Sequence, residues 1–137
     1  MRADSTPNAL AGDSVELLSI TADIAGSNTV VITARGDVDQ STSPLLVTHL
    51  RERIHQAGPN LVVDLTHVRH FGAAGITALV HARTMAAAAG VDLVVVVSRV
   101  VLMSLGITRM ESAFDLYSTL SDALGRPGLA GRRVLSV

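Results

Sequence analysis

One stretch, Leu61 to Gly75 (LVVDLTHVRHFGAAG), limits the folds open to this chain more than any other. Leu61-Val62-Val63 is a short β-branched-rich apolar run behind the turn signal Gly58-Pro59-Asn60, and it reads as a strand buried on both faces. Asp64 stands at the end of that strand. A loop follows, Phe71 brings the chain back to the body, and Gly72-Ala73-Ala74-Gly75 opens a helix with Ile76, Leu79 and Val80 on one face. Small residues at a helix start gather unpaired backbone N–H groups under the positive end of the helix dipole. Such a place can hold an anion, dock a partner closely, or do neither.

The flanking sequence supplies the rest of an α/β domain. Val15 to Ile24 and Val30 to Ala34 are strand-like, and Gly26-Ser27-Asn28 between them predicts a β-hairpin. Gly36 to Thr42 reads as a loop. Ser43-Pro44 predicts a helix start, a capping hydroxyl before a proline at the first helical position. Leu46, Leu50, Ile54 and Ala57 mark one helical face, and Gly58-Pro59 ends it. Gly90 closes the helix opened at Gly72, and Asp92 to Val97 is a second buried strand. Ser98 is a cap for a short helix from Arg99 to Leu105, closed by Gly106. Phe114 to Tyr117 is an extended piece, and Ser118 would cap a last helix to Leu124. The order β-β-α-β-α-β-α-α describes one domain, a mixed sheet with helices packed against it. Residues 1–14 and 126–137 read as tails around a domain spanning 15–125.

Composition closes several doors. At 137 residues the chain is long enough for one real core, and its 48% apolar content supplies it. Phe71, Phe114 and Tyr117 are the only aromatics, so that core is aliphatic. A net charge of -1 gives no electrostatic reason for a nucleic-acid or acidic-membrane partner. The absence of cysteine excludes disulfides, thiol redox chemistry and thiolate metal sites. The N-terminus lacks an apolar signal core, and the greasiest run, Val91 to Met103, is too short and too interrupted to span a bilayer. A soluble cytoplasmic protein is the expectation.

No chemistry-bearing constellation stands out. His67 and His70 lie three apart beside Asp64, but no further ligand at helical spacing accompanies them, and solvated loop histidines are the plainer reading. There is no Gly-x-Ser-x-Gly elbow and no suggestive carboxylate pair. The Gly72–Gly75 loop lacks both the dinucleotide fingerprint and the phosphate-loop ending Gly-Lys-Ser/Thr. Asp37 and Asp39 are candidate interaction residues, or aspartates that bond their own loop backbone. No catalytic residue, metal or cofactor is expected.

Three segments in order carry a resemblance. VITARGDVDQSTSPLLVTHLRERI resembles the strand, Gly-Glu/Asp-hydrophobic-Asp loop and first helix of STAS domains, the fold of anti-sigma factor antagonists. LVVDLTHVRHFGAAGITALVHARTMAAAAGVDLVVV resembles their central strand, signature loop, second helix and next strand. SRVVLMSLGITRMESAFDLYSTLSDAL is similar to their closing pattern, so the likeness covers roughly Val15 to Leu124.

The resemblance implies a STAS-like mixed sheet and a protein-binding switch. In the family an unphosphorylated antagonist binds a histidine-kinase-like anti-sigma factor and frees a sigma factor. Phosphorylation of a serine in an Asp-Ser-Ser/Thr-Gly loop at the start of the second helix ends that binding. Carried onto this chain, the partner-binding residues are Asp37, Asp39, Thr42, Gly72, Ala73, Ala74, Gly75 and Ile76. The chain departs from the family at the switch. Gly72 replaces the Asp, Ala73 the first Ser, and Ala74 the phosphorylated residue, while Gly75 is retained. Alanine has no hydroxyl, so the family's switch cannot operate there. Thr77, Ser41, Thr42 and Ser43 are the nearby hydroxyls, and nothing local singles one out. The expectation is a non-enzymatic antagonist of an anti-sigma factor without the usual switch, self-association into a homodimer being left open. The alternatives are a STAS scaffold or transporter-associated subunit, and a nucleotide-binding protein.

Overall fold

The computed structural model describes residues 18–26, 28–56 and 60–125. Both expected tails, the start of the first expected strand (15–17), and the Gly58-Pro59 stop lie outside the described residues. The elements are β1 (Leu18–Ala25), β2 (Thr29–Val38), α1 (Ser43–Gln56), β3 (Asn60–Phe71), α2 (Ala73–Ala89), β4 (Asp92–Val96), α3 (Arg99–Ile107), β5 (Leu116–Tyr117) and α4 (Leu120–Gly125), with a short 3-10 turn at Glu111–Ala113 before β5. The five strands lie side by side in chain order. β1 is antiparallel to β2, as the hairpin reading requires, and every later pairing is parallel.

Alternation along the strands builds two layers on this sheet. Ile32 and Ala34 of β2, Val63 and Leu65 of β3 and Val95 of β4 join Leu46, Leu50 and Ile54 of α1, Ile76 and Leu79 of α2, and Val101 and Leu105 of α3 in one buried cluster. Their neighbours Val31, Val62, Val94 and Val96 face the other way and pack with Ala123 of α4. The runs read as buried on both faces are so: Val62, Val94 and Val96 are buried on the second face, where α4 packs on β4 and β5.

The structure corrects five expected boundaries. β2 and β3 are longer than their apolar runs: the loops expected at Gly36–Asp37 and after Asp64 are strand. The two strands stay paired as far as Val38↔Phe71, with register irregularities at Thr33/Arg35 and Gly36/Asp37. These irregularities break the polar–apolar alternation that a sequence reading uses, while Leu65, Val68 and Phe71 still turn inward. Gly36 sits there at φ 116, a conformation open to glycine. α1 starts at Ser43 itself, and the carbonyl of Thr42 accepts the first helical N–H groups, from Leu45 and Leu46. α3 runs through Gly106 to Ile107, and Arg109 takes the left-handed turn at φ 60. The last helix is capped by Thr119, whose Oγ1 accepts from the Asp122 N–H at 3.0 Å, and Ser118 lies outside it. Other local signals hold: Ser98 caps α3 through the Val101 N–H, and Gly90 closes α2 in the left-handed region.

Gly75 carries the join between β3 and α2. A Cβ added there would lie 2.6 Å from Cε1 of Phe71, well inside contact distance. The Phe71 ring is buried, so it has little room to retreat. Gly75→Ala is expected to cost about 1–3 kcal/mol through this overpacking, measured by chemical denaturation. Phe71→Leu, which removes the clashing edge, should recover part of the loss in the double variant. Full additivity of the two changes would show that the ring does not set the requirement for glycine.

Candidate functional site

The end of the sheet where β2 and β3 finish brings together two of the stretches singled out by sequence. Val38 is paired with Phe71, and its carbonyl accepts the N–H of Gly72 at 3.2 Å, so the β2–α1 loop and the start of α2 are anchored side by side. Asp37 is the register partner of His70, two residues before Gly72. Residues far apart in the chain thus form one surface.

The β2–α1 loop is built on Asp39 and Thr42. Oδ1 of Asp39 accepts from the Ser41 N–H at 2.9 Å, the Ser41 hydroxyl at 2.8 Å and the Thr42 N–H at 3.0 Å. The Thr42 hydroxyl accepts from the Asp39 N–H and donates to the Asp37 carbonyl at 2.8 Å. Asp39 therefore organises its own loop, and one of its oxygens is committed. Asp37 instead meets Arg69 at 3.4 Å across a largely exposed pair. At that exposure the pair is worth at most about 1 kcal/mol, so a partner's cation can exchange for Arg69 at little cost.

At α2, Gly72 occupies the cap position with extended backbone and no side-chain cap. Its carbonyl accepts from Gly75 and Ile76. The amides of Ala73 and Ala74 precede the first helical bond, and no acidic residue occupies the first turn. Ala73 is exposed, and Gly72 and Ala74 are half-buried. Thr42, Gly75 and Ile76 are buried. Of the eight residues inferred as contacts, the accessible set is Asp37, Asp39, Gly72, Ala73 and Ala74, while the three buried ones hold the loops in place. Thr77 is an exposed hydroxyl one turn further along α2.

A third element was not singled out by sequence. The Ser104 hydroxyl of α3 donates to the Phe71 carbonyl at 2.6 Å, fixing α3 against the end of β3. On the helical wheel Val100, Met103 and Ile107 fall in one stripe beside Ser104, and they are 42%, 58% and 80% exposed. The available signal was an excess: Val100 to Ile107 holds more apolar residues than one buried helical face requires. His67 and His70 are exposed strand residues beside this surface, paired in register with Arg35 and Asp37.

The family model of the STAS domain matches residues 20–123, and the chain belongs to that family. No curated protein sequence matches it. Among solved structures, an anti-sigma factor antagonist from Mycobacterium paratuberculosis is 24% identical, with a TM-score of 0.69 over 82% of this chain and 93% of that one. A candidate anti-sigma factor antagonist of Thermotoga maritima gives a TM-score of 0.69 at 14% identity, covering 77% of this chain and 91% of its own. The Bacillus cell fate determinant SpoIIAA in its phosphorylated form gives 0.59 at 13% identity, over 77% and 96%. The likeness to these three is one of fold. No helix among the described residues is long and apolar enough to cross a membrane.

The Asp39 carboxyl is held below its ordinary range, first by the Ser41 hydroxyl and then by the Thr42 N–H. A depressed folded value means that the stabilisation is complete above the unfolded carboxylate value and disappears as pH falls through the folded one. The β2–α1 loop should therefore stay ordered through mildly acidic solution and loosen only below the ordinary aspartate range. The Ser41 and Thr42 amide resonances, followed by NMR during acidification, should move together there. Asp39→Asn should abolish that titration, and its persistence in the variant would assign it to another group.

Proposed function

We propose that this STAS domain is an anti-sigma factor antagonist that binds a histidine-kinase-like anti-sigma factor through the surface made by the β2–α1 loop, the start of α2 and the exposed stripe of α3. It is a binding protein rather than an enzyme, and its binding is not switched by phosphorylation at the start of α2. The observation that carries this reading is the Gly72-Ala73-Ala74 segment, accessible beside Asp37 and Asp39 yet without a hydroxyl. The solved antagonists of the same fold support the partner class. A phosphoryl group at this place would bring about -1.5 to -2 charges into a close contact. Alanine at 73 and 74 removes the acceptor while leaving small side chains for close approach. Regulation then falls to supply of the protein or to the partner.

Ala73 is the better test position because it is exposed, whereas Ala74 is half-buried. A carboxylate at a helix N-terminus is favourable by about 0.3–1 kcal/mol, so Ala73→Glu should fold with an unchanged or slightly raised melting temperature. In the complex the unpaired charge would be desolvated at a cost of several kcal/mol, each 1.4 kcal/mol or so being tenfold in affinity. Calorimetric titration against a candidate kinase-like anti-sigma factor should show that loss. Undiminished affinity in the folded variant would remove the start of α2 from the interface. Recovery of transporter subunits, with no kinase-like protein, would favour the scaffold alternative.

Incubation with the bound kinase and ATP, followed by intact-mass measurement, should show no added phosphate. Stoichiometric modification at Thr77 or Thr42 would mean that another hydroxyl has taken over the switch.

A further inference from the structure

β1 is an outer strand of the sheet, and among the described residues no strand pairs with its outer edge. It pairs one-to-one with β2 from Leu18↔Gly36 to Ala25↔Thr29, without a bulge. Its sequence, LSITADIA, has no proline and no lysine or arginine, and Asp23 is its single charge. An unprotected edge offers a row of backbone N–H and C=O groups to another strand, which is why such edges are normally blunted by those devices. The opposite edge, β5, is two residues long. A β1-to-β5 contact between copies would therefore be too short to propagate, whereas β1 against β1 about a twofold axis closes on itself.

We propose that β1 is a self-association edge, pairing antiparallel with β1 of a second copy of this chain, Thr21 opposite Thr21. Residues directly opposed across an antiparallel pair share a face. This register sets Leu18 against Ile24 and Ile20 against Ala22 on the face that bears α1 and α2. Ser19 then meets Asp23 on the other face. Leu18, Ile20 and Ala22 already pack against the main core, but Ile24, on the same side of the strand, is 78% exposed. The second copy's Leu18 covers it and extends the apolar layer across the axis. Asp23 meets a serine hydroxyl rather than another carboxylate. Sliding the pair so that Ala22 opposes Ala22 would set Leu18 against Gly26, beyond the end of the strand, so the Thr21 register matches the side chains better. The Leu18 end of β1, paired with Gly36, lies beside the proposed anti-sigma contact, but the self-pairing rests on the edge of β1 and not on that contact.

Sedimentation velocity of the full chain from about 10 µM to about 1 mM covers the range expected for a contact of this modest size. A reversible monomer–dimer equilibrium is expected. Thr21→Lys, an exposed substitution that opposes two lysines at the axis, should raise the dissociation constant several-fold with an unchanged melting curve. Because the chain has no cysteine, single cysteines report the register. Thr21→Cys should form a disulfide-linked dimer on mild oxidation much faster than Asp23→Cys. A monomer throughout the concentration range would overturn the proposal. So would an unaffected dimer in Thr21→Lys, or equal crosslinking at the two positions.

Discussion

The contact of the Phe71 ring with Gly75 is the constraint on which the candidate site depends. Phe71 is the last residue of the central strand, and Gly75 lies in the first turn of α2. With the ring occupying the space of the missing Cβ, the turn between them is reduced to Gly72. The two backbone groups flanking that turn are both engaged: the Gly72 N–H by the Val38 carbonyl, and the Phe71 carbonyl by the Ser104 hydroxyl. The Phe71 ring against Gly75, together with the backbone of Phe71 and Gly72, thus joins β2, β3, α2 and α3 at a single point. The retained glycine is explained by packing, without reference to a partner.

This division of labour runs through the whole surface. Thr42, Gly75 and Ile76 are buried and set positions, while Ala73 and Asp37 are accessible and can be met from outside. Asp39 does both, one carboxylate oxygen closing its loop. Gly72, Ala73 and Ala74 carry no hydroxyl and lie outside the buried supports, so the shape of the surface is set without a hydroxyl at the start of α2.

Much of this was legible in the chain because local chemistry is written locally. The Gly26–Asn28 hairpin signal, the Ser98 cap, the Gly90 stop and the doubly buried valines of β3 and β4 all depend on residues within a few positions of one another. The site loops were legible as segments for the same reason, and the three ordered motifs were enough to indicate the STAS family. Less was legible where a residue's surroundings come from elsewhere. β2 and β3 hide their final residues because the irregular pairing near Gly36 interrupts the alternation that identifies a strand. Thr119 rather than Ser118 caps α4, a choice between adjacent hydroxyls that the path of the chain out of β5 decides.

By itself, then, the sequence determined the order of strands and helices, though not where β2 and β3 end, that they form a single layered α/β domain, and that positions 72–74 carry no hydroxyl. Only the tertiary structure decided that Asp37 is paired with Arg69, that Asp39 is turned into its own loop, and that α3 leaves Val100, Met103 and Ile107 uncovered beside the loops. The physical reason is one of range. Propensity, capping and hydrophobic period act over a few residues and can be read in order along the chain. Which side chain meets Phe71, Asp37 or the outer face of α3 is settled by strand register and helix packing, which join residues separated by tens of positions.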